Sequence, residues 1–140
     1  MSLYLDASVL VALFTDDPFT RRADSFLREN ASVLMVSDFA AAEFASALGR
    51  QVRTKEIAQR QARIALATFD SWTARIARRV EIGPADVKAA EAFLRRLDLK
   101  LRTPDAINIA IAQRIGAALF TFDAAMIKSA RALATPVAGI

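Results

Sequence analysis

Apolar positions fall into short continuous runs separated by longer segments with helical spacing. Ser2 to Leu5 is the first run, closed by Asp6, and Ala7 to Phe14 stays apolar for longer than one strand needs, which predicts strand, acid, helix. Asp17 as N-cap and Pro18 at the first helical position predict a second helix, with Phe19, Ala23, Phe26 and Leu27 on one face and Asn30 at its end. Val33 to Val36 reads as a buried strand. Ser37 then caps a helix from Asp38 to about Arg50, in which Glu43 sits among Ala40, Ala41, Ala42 and Ala45. From Thr54 a long helical segment is predicted to about Arg79, because Ala58, Ala62, Ala65, Phe69, Trp72 and Ile76 recur at alternating steps of four and three. Val80-Glu81-Ile82 predicts a short strand, and Gly83-Pro84 opens a helix with a stripe of Val87, Ala90, Leu94 and Leu97.

The segment Leu101 to Ala112 stands apart. Thr103 suits an N-cap and Pro104 a first helical position. From Ala106 onward apolar side chains face nearly every direction, broken only by Asn108 before Gln113, as in a helix inside a core. Asp105 is the anomaly, since a lone buried carboxylate is costly and a helix N-terminus returns only about 0.3–1 kcal/mol. Gly116 ends the helix, Ala117 to Phe122 predicts a strand running into Asp123, and a helix over Ala124–Leu133 leads to a short strand at Pro136–Ala138. Apolar strands alternating with helices predict an α/β fold: a mostly parallel sheet covered on both faces, formed by residues 1–140 as a single domain. Ligands of such sheets bind beyond the carboxyl ends of the strands, where Asp6 and Asp123 fall.

Composition narrows the chemistry. The 140 residues contain no cysteine and no histidine, which excludes disulfides, thiolate and imidazole metal sites and Ser-His-Asp triads. No apolar run is long enough for a membrane span and the N-terminus lacks a signal-peptide pattern, so a cytoplasmic protein is expected. A net charge of +4 and a pI near 10.1, carried mostly by arginine, favour an anionic partner, nucleic acid first or an acidic protein. The arginines between Arg53 and Arg79 suit either RNA contact or a solvated or partner-binding face.

Asp6, Glu43, Asp105 and Asp123 are each embedded among apolar or small residues, whereas the other acids look solvated and Asp38 reads as a first-turn acid after Ser37. Capping alone could account for Asp105 and Asp123, but Asp6 and Glu43 occupy no obvious capping slot. Two unit charges about 4 Å apart repel by roughly 4 kcal/mol at an effective dielectric of 20, so four converging acids would take up protons or a divalent cation. All-oxygen ligation suits Mg²⁺ or Mn²⁺, ions that engage phosphates and activate water for attack on phosphorus. Ser8 and Thr121 stand close enough in sequence to orient a water or a carboxylate.

Tyr4-Leu5-Asp6-Ala7-Ser8, the Glu43 helix, Thr103-Pro104-Asp105-Ala106 and Leu119-Phe120-Thr121-Phe122-Asp123 together resemble the PIN domain, in particular its VapC-type toxin branch, over residues 3–137. The resemblance implies a three-layer α/β/α fold, a Mg²⁺- or Mn²⁺-dependent endoribonuclease leaving 5′-phosphates, a homodimer, and inhibition by a cognate antitoxin, alone or in a larger assembly with it. It implies Asp6, Glu43, Asp105 and Asp123 as the acids in family order, Ser8 and Thr121 as supporting residues, and Asp6 and Asp105 as direct metal ligands, with Glu43 and Asp123 binding directly or through water. Two departures stand out: Asn108 where many relatives have His, and Ala124-Ala125 where some carry another acid, which bears on a second metal. Aspartyl phosphotransfer from Asp6 is the competing enzyme class, disfavoured because Ser8 stands where a second acid is expected. A non-catalytic RNA- or protein-binding module is the non-enzymatic alternative.

Overall fold

A computed structural model describes residues 1–139. The elements are β1 (Ser2–Leu5), α1 (Ala7–Phe14), α2 (Thr20–Glu29), β2 (Val33–Ser37), α3 (Asp38–Arg53), α4 (Gln59–Arg75), β3 (Arg78–Val80), α5 (Pro84–Leu94), α6 (Thr103–Ile115), β4 (Ala118–Phe120), α7 (Ala124–Ala132) and β5 (Val137–Ala138). All five strands are parallel, in the order β3-β2-β1-β4-β5. The expected α/β class with a parallel sheet between helices is what the chain forms.

The two-residue period of the strands divides the core. On one side of the sheet Tyr4 and Leu119 pack with Ala90 of α5, with Ala106, Ile109 and Ala110 of α6, and with Met126 and Ala130 of α7. On the other, Leu3, Leu5, Val36 and Phe120 meet Val9 and Leu10 of α1, Phe44 and Leu48 of α3, and Phe69 of α4. Residues Asp105 to Ala112 of α6 are buried without a break, as expected of a helix apolar all round. Gly116 closes that helix at φ 67°, a left-handed C-cap that a residue with a Cβ resists. The chain leaves β1 for β2 on one side, while β4 lies on the other. That arrangement makes the crevice past β1 and β4 a switch point of the sheet.

Several boundaries differ from expectation, each for a local reason. Residues 17–19 form a turn rather than the start of α2, because Asp17 Oδ2 accepts from the Phe19 N–H (2.9 Å) and the Asp17 N–H donates to Thr20 Oγ1 (3.0 Å). The long segment from Thr54 is broken: α3 runs on to Arg53, Lys55 turns left-handed at φ 63°, and α4 starts only at Gln59, where Gln61 accepts from the Ala58 N–H (2.7 Å). The seam survives through Ala62, Ala65 and Phe69, but Ile76 lies past the helix end and is 59% exposed.

The third strand sits at Arg78–Val80, not Val80–Ile82, since its register pairs Arg78 with Met35 and Val80 with Ser37. Charged side chains suit this edge position. In α5 the predicted stripe holds at Ala90 and Leu94, which pack in the core, whereas Val87 is exposed, Leu97 is exposed past the helix end, and Asp86 faces inward to meet Arg114 of α6. The β4 strand stops at Phe120, and Thr103 is the first residue of α6, with Arg102 at the N-cap. Among the described residues no helix is long and apolar enough to cross a membrane.

Candidate active site

Asp6, Ser8, Glu43, Asp105 and Asp123 line one cleft of about 710 Å³ at the carboxyl edge of the sheet. Four separate elements deliver the acids. Asp6 follows the central strand β1 and, contrary to expectation, caps α1, its Oδ1 accepting from the Val9 N–H (3.2 Å). Asp123 follows β4 and caps α7, accepting from Ala125 N (2.9 Å) and Met126 N (3.1 Å) through Oδ1. Its Oδ2 makes no protein hydrogen bond among the described residues. Glu43 projects from α3 and Asp105 from the first turn of α6.

Asp6 is held from both sides. Ser8 Oγ donates to its Oδ1 (2.6 Å), and Thr121, buried behind the cleft rather than lining it, donates to its Oδ2. Burial pushes the Asp6 carboxyl above the ordinary carboxylate range, the bonds from Ser8, Thr121 and the Val9 N–H oppose that, and the charge of Asp123 adds to the rise. Glu43 is also raised, first by burial and against the Asn108 hydrogen bond, with Asp6 and Asp105 adding repulsion and Arg102 relieving part of it. The acids therefore sense one another across the cleft, as converging charges must.

Sequence reasoning missed three groups. Asn108, expected only as the loss of a polar helper, is 1% exposed and joins the layers: its Nδ2 donates to Glu43 Oε1 (2.7 Å) and Pro104 O (2.9 Å), and its Oδ1 accepts from the Tyr4 hydroxyl. Burial raises the Tyr4 phenol far above its usual range, although its contact with Ser37 works the other way, so it stays a neutral donor. The spacing of three between Asp105 and Asn108 was the available signal, since it sets both on one helix face. Arg102 supplies the third group, its Nε 3.3 Å from Asp105 Oδ2 on an otherwise exposed side chain. Asp86 also departs from expectation, being buried and paired with Arg114 rather than solvated. Of the Arg53–Arg79 cluster, Arg79 bridges to Asp38 (2.8 Å) and lies 5.9 Å from the Phe69 ring centre.

Replacing Asn108 by Ala removes the only bridge from Tyr4 to Glu43 among the described residues. Chemical denaturation should read a loss of about 1–3 kcal/mol, the usual cost of stranding buried polar partners. An unchanged midpoint would show that the bridge carries no stability.

The donor set is entirely hard oxygen, the type that suits Mg²⁺ or Mn²⁺. Among the described residues no three acids stand close enough together to hold a metal ion between them. An ion that keeps several waters needs only one or two direct carboxylates, so these residues fit a hydrated divalent cation better than a dry, fully protein-ligated one.

Comparison with solved structures bears on the fold. The chain is similar to the VapC20 toxin of Mycobacterium tuberculosis, described as cleaving the sarcin-ricin loop, at 19% identity over 91% of this chain and 94% of that one, with a TM-score of 0.74. It is similar also to VapBC2 of Rickettsia felis, solved bound to promoter DNA (15% identity, 99% and 98% covered, TM-score 0.72). A third likeness is to VapBC-1 of nontypeable Haemophilus influenzae (14% identity, 99% and 97% covered, TM-score 0.67). A comparison with curated proteins returns no match. The model of the PIN domain matches residues 3–132, and on that match the chain belongs to the PIN domain family.

Proposed function

We propose that the chain is a metal-dependent endoribonuclease and the toxin of a toxin–antitoxin pair. The observation that carries the reading is the convergence of Asp6, Glu43, Asp105 and Asp123, from four elements, on one cleft at the switch point of the sheet. Membership of the PIN family and the likeness to VapC and VapBC structures support it.

Asp6 and Asp105 are assigned as direct ligands of Mg²⁺ or Mn²⁺, with Glu43 and Asp123 binding directly or through water. Such an ion supplies Lewis-acid stabilisation of the phosphodiester and lowers the pKa of water. The chain's own groups do the rest. Ser8 and Thr121 fix the orientation of Asp6, and Asn108 fixes Glu43. Glu43, with its raised carboxyl, is suited to take the proton of the attacking water. Arg102 at the rim is suited to meet a phosphate oxygen. Water attacks phosphorus, the bond to the 3′ oxygen breaks, and the products carry a 5′-phosphate and a 3′-hydroxyl.

The assigned partners are RNA and a cognate antitoxin, with the toxin chains as a homodimer. Purified chain incubated with mixed RNA should cut it in Mg²⁺ or Mn²⁺, stop on EDTA, and resume when metal is returned. The product of a small neighbouring reading frame should silence the cut. Cleavage that persists in EDTA would overturn the metal mechanism, and tight RNA binding without cleavage by metal-loaded chain would favour a binding module.

A further inference from the structure

We propose that Phe19 and Phe122 form a shelf beside the acidic cleft on which one unpaired base of the RNA substrate stacks. The inference rests on the ribonuclease reading and adds the two residues that hold a base of the strand next to the acids. Both rings line the same cleft as Asp6 and Asp123. They lie almost parallel, with centroids 4.6 Å apart and planes at 9°. Phe19 is nevertheless 41% exposed, so the ring that Phe122 covers on one side still presents aromatic surface to solvent.

The shelf is fixed at both ends. Phe122 immediately precedes Asp123, its N–H donates to Ser8 Oγ (3.0 Å), and the edge of Phe120 supports its ring at 5.3 Å and 70°. Phe19 is held by the turn in which its N–H donates to Asp17 Oδ2. The Arg22 guanidinium lies over the Phe122 ring, 5.5 Å from its centre, and its Nη2 donates to Gly139 O (2.8 Å), so the aromatic surface left to solvent is that of Phe19. A backed and exposed ring flanked by arginine is the arrangement that takes a planar base, because every base offers a π face. Bases inside a duplex are already stacked on their neighbours and withhold that face, which is why the shelf selects unpaired RNA. The distribution of roles follows: the acids act on the backbone while the shelf holds a neighbouring base and sets how the strand enters.

The test compares Phe19→Leu and Phe19→Trp with the unaltered chain in cleavage of a short single-stranded RNA and of the same RNA carrying one abasic position near the cut. Leu keeps apolar contact with Phe122 but has no π face, and Trp restores one. Because Phe19 is 41% exposed and both replacements keep apolar contact with Phe122, both variants should melt within a few degrees of the unaltered chain. Phe19→Leu should lower kcat/KM on intact RNA by about 5- to 100-fold, mostly through KM, and Phe19→Trp should recover most of it. The abasic RNA should lose a similar factor with the unaltered chain and little more with Phe19→Leu. Equal cleavage of intact RNA by Phe19→Leu and the unaltered chain, or no recovery with Phe19→Trp, overturns the shelf alone. A chain that cuts no RNA with Phe19 in place overturns the ribonuclease reading and the shelf with it.

Discussion

Asp6→Asn is expected to slow RNA cleavage by roughly 10²–10³-fold or more while leaving the metal-free chain at least as stable as before. The substitution is nearly isosteric. An asparagine carbonyl still accepts from Ser8 and from the Val9 N–H, and its amide faces the Thr121 oxygen, which can turn to accept. What disappears is a charge that burial opposes and Asp123 repels. A carboxyl raised in the folded state ionises later there than in the unfolded chain. Its penalty therefore begins as pH climbs past the ordinary value near 3.9 and grows until the folded group ionises too. Melting at pH 7 should show Asp6→Asn equal to or above the unaltered chain, and the gap should close on acidification below about pH 4. Added Mg²⁺ should reverse the order, because an ion that binds only the folded, charged site stabilises the unaltered chain and not the variant. A variant that cuts at the original rate would remove Asp6 from the chemistry. One that fails to fold would make it a helix cap first.

The contrast between what could and could not be read from the residues follows from how far each signal reaches. The α/β class, the parallel sheet and the burial of α6 were legible because strand runs and all-round apolarity are local and repeated. The convergence of Asp6, Glu43, Asp105 and Asp123 was legible because each is an acid where an apolar neighbourhood allows none without a reason. Turn chemistry hid the start of α2, since Thr20 Oγ1 accepts from the Asp17 N–H and Asp17 Oδ2 from the Phe19 N–H, closing a turn around Pro18 instead of opening a helix. A left-handed Lys55 delayed the start of α4 from Thr54 to Gln59, and the spacing of Ala58, Ala62, Ala65 and Phe69 carries no mark of it because the seam begins only after the turn. Asn108 and Tyr4 were passed over because their partners lie on other elements, and only the packed sheet and helices bring them together. Asp86 looked like any acid in a first turn until the fold set Arg114 beside it.

Arg114→Met should cost about 2–3 kcal/mol of stability and little activity. The guanidinium holds Asp86 through two bonds, Nε to Oδ1 at 2.7 Å and Nη2 to Oδ2 at 3.0 Å, while Nη2 also donates to Glu81 O at 2.8 Å. Asp86 itself is 1% exposed. Removing one member of a fully buried pair costs about 3–5 kcal/mol, and the Arg114 side chain is 43% exposed, so solvent screening trims the figure. Burial alone would raise the Asp86 carboxyl. The Arg114 bonds, the Gly83 N–H and the Arg114 charge outweigh it and hold the group below its ordinary range. Its contribution is therefore full above the ordinary value near 3.9 and lost as pH falls through the lower folded value. With the cation gone, the carboxyl keeps only the Gly83 bond against burial, and ionising it becomes a penalty that grows with pH. Urea unfolding between pH 3 and 7 should show the deficit largest at neutral pH and shrinking in acid. Asp86→Leu combined with Arg114→Met should recover much of the loss, because an apolar pair leaves no buried charge unpaired. Activity should persist wherever the variant is folded: Arg114 lies nine residues along α6 from Asp105, about 13 Å away. Loss of cleavage without loss of stability would instead place Arg114 in the chemistry.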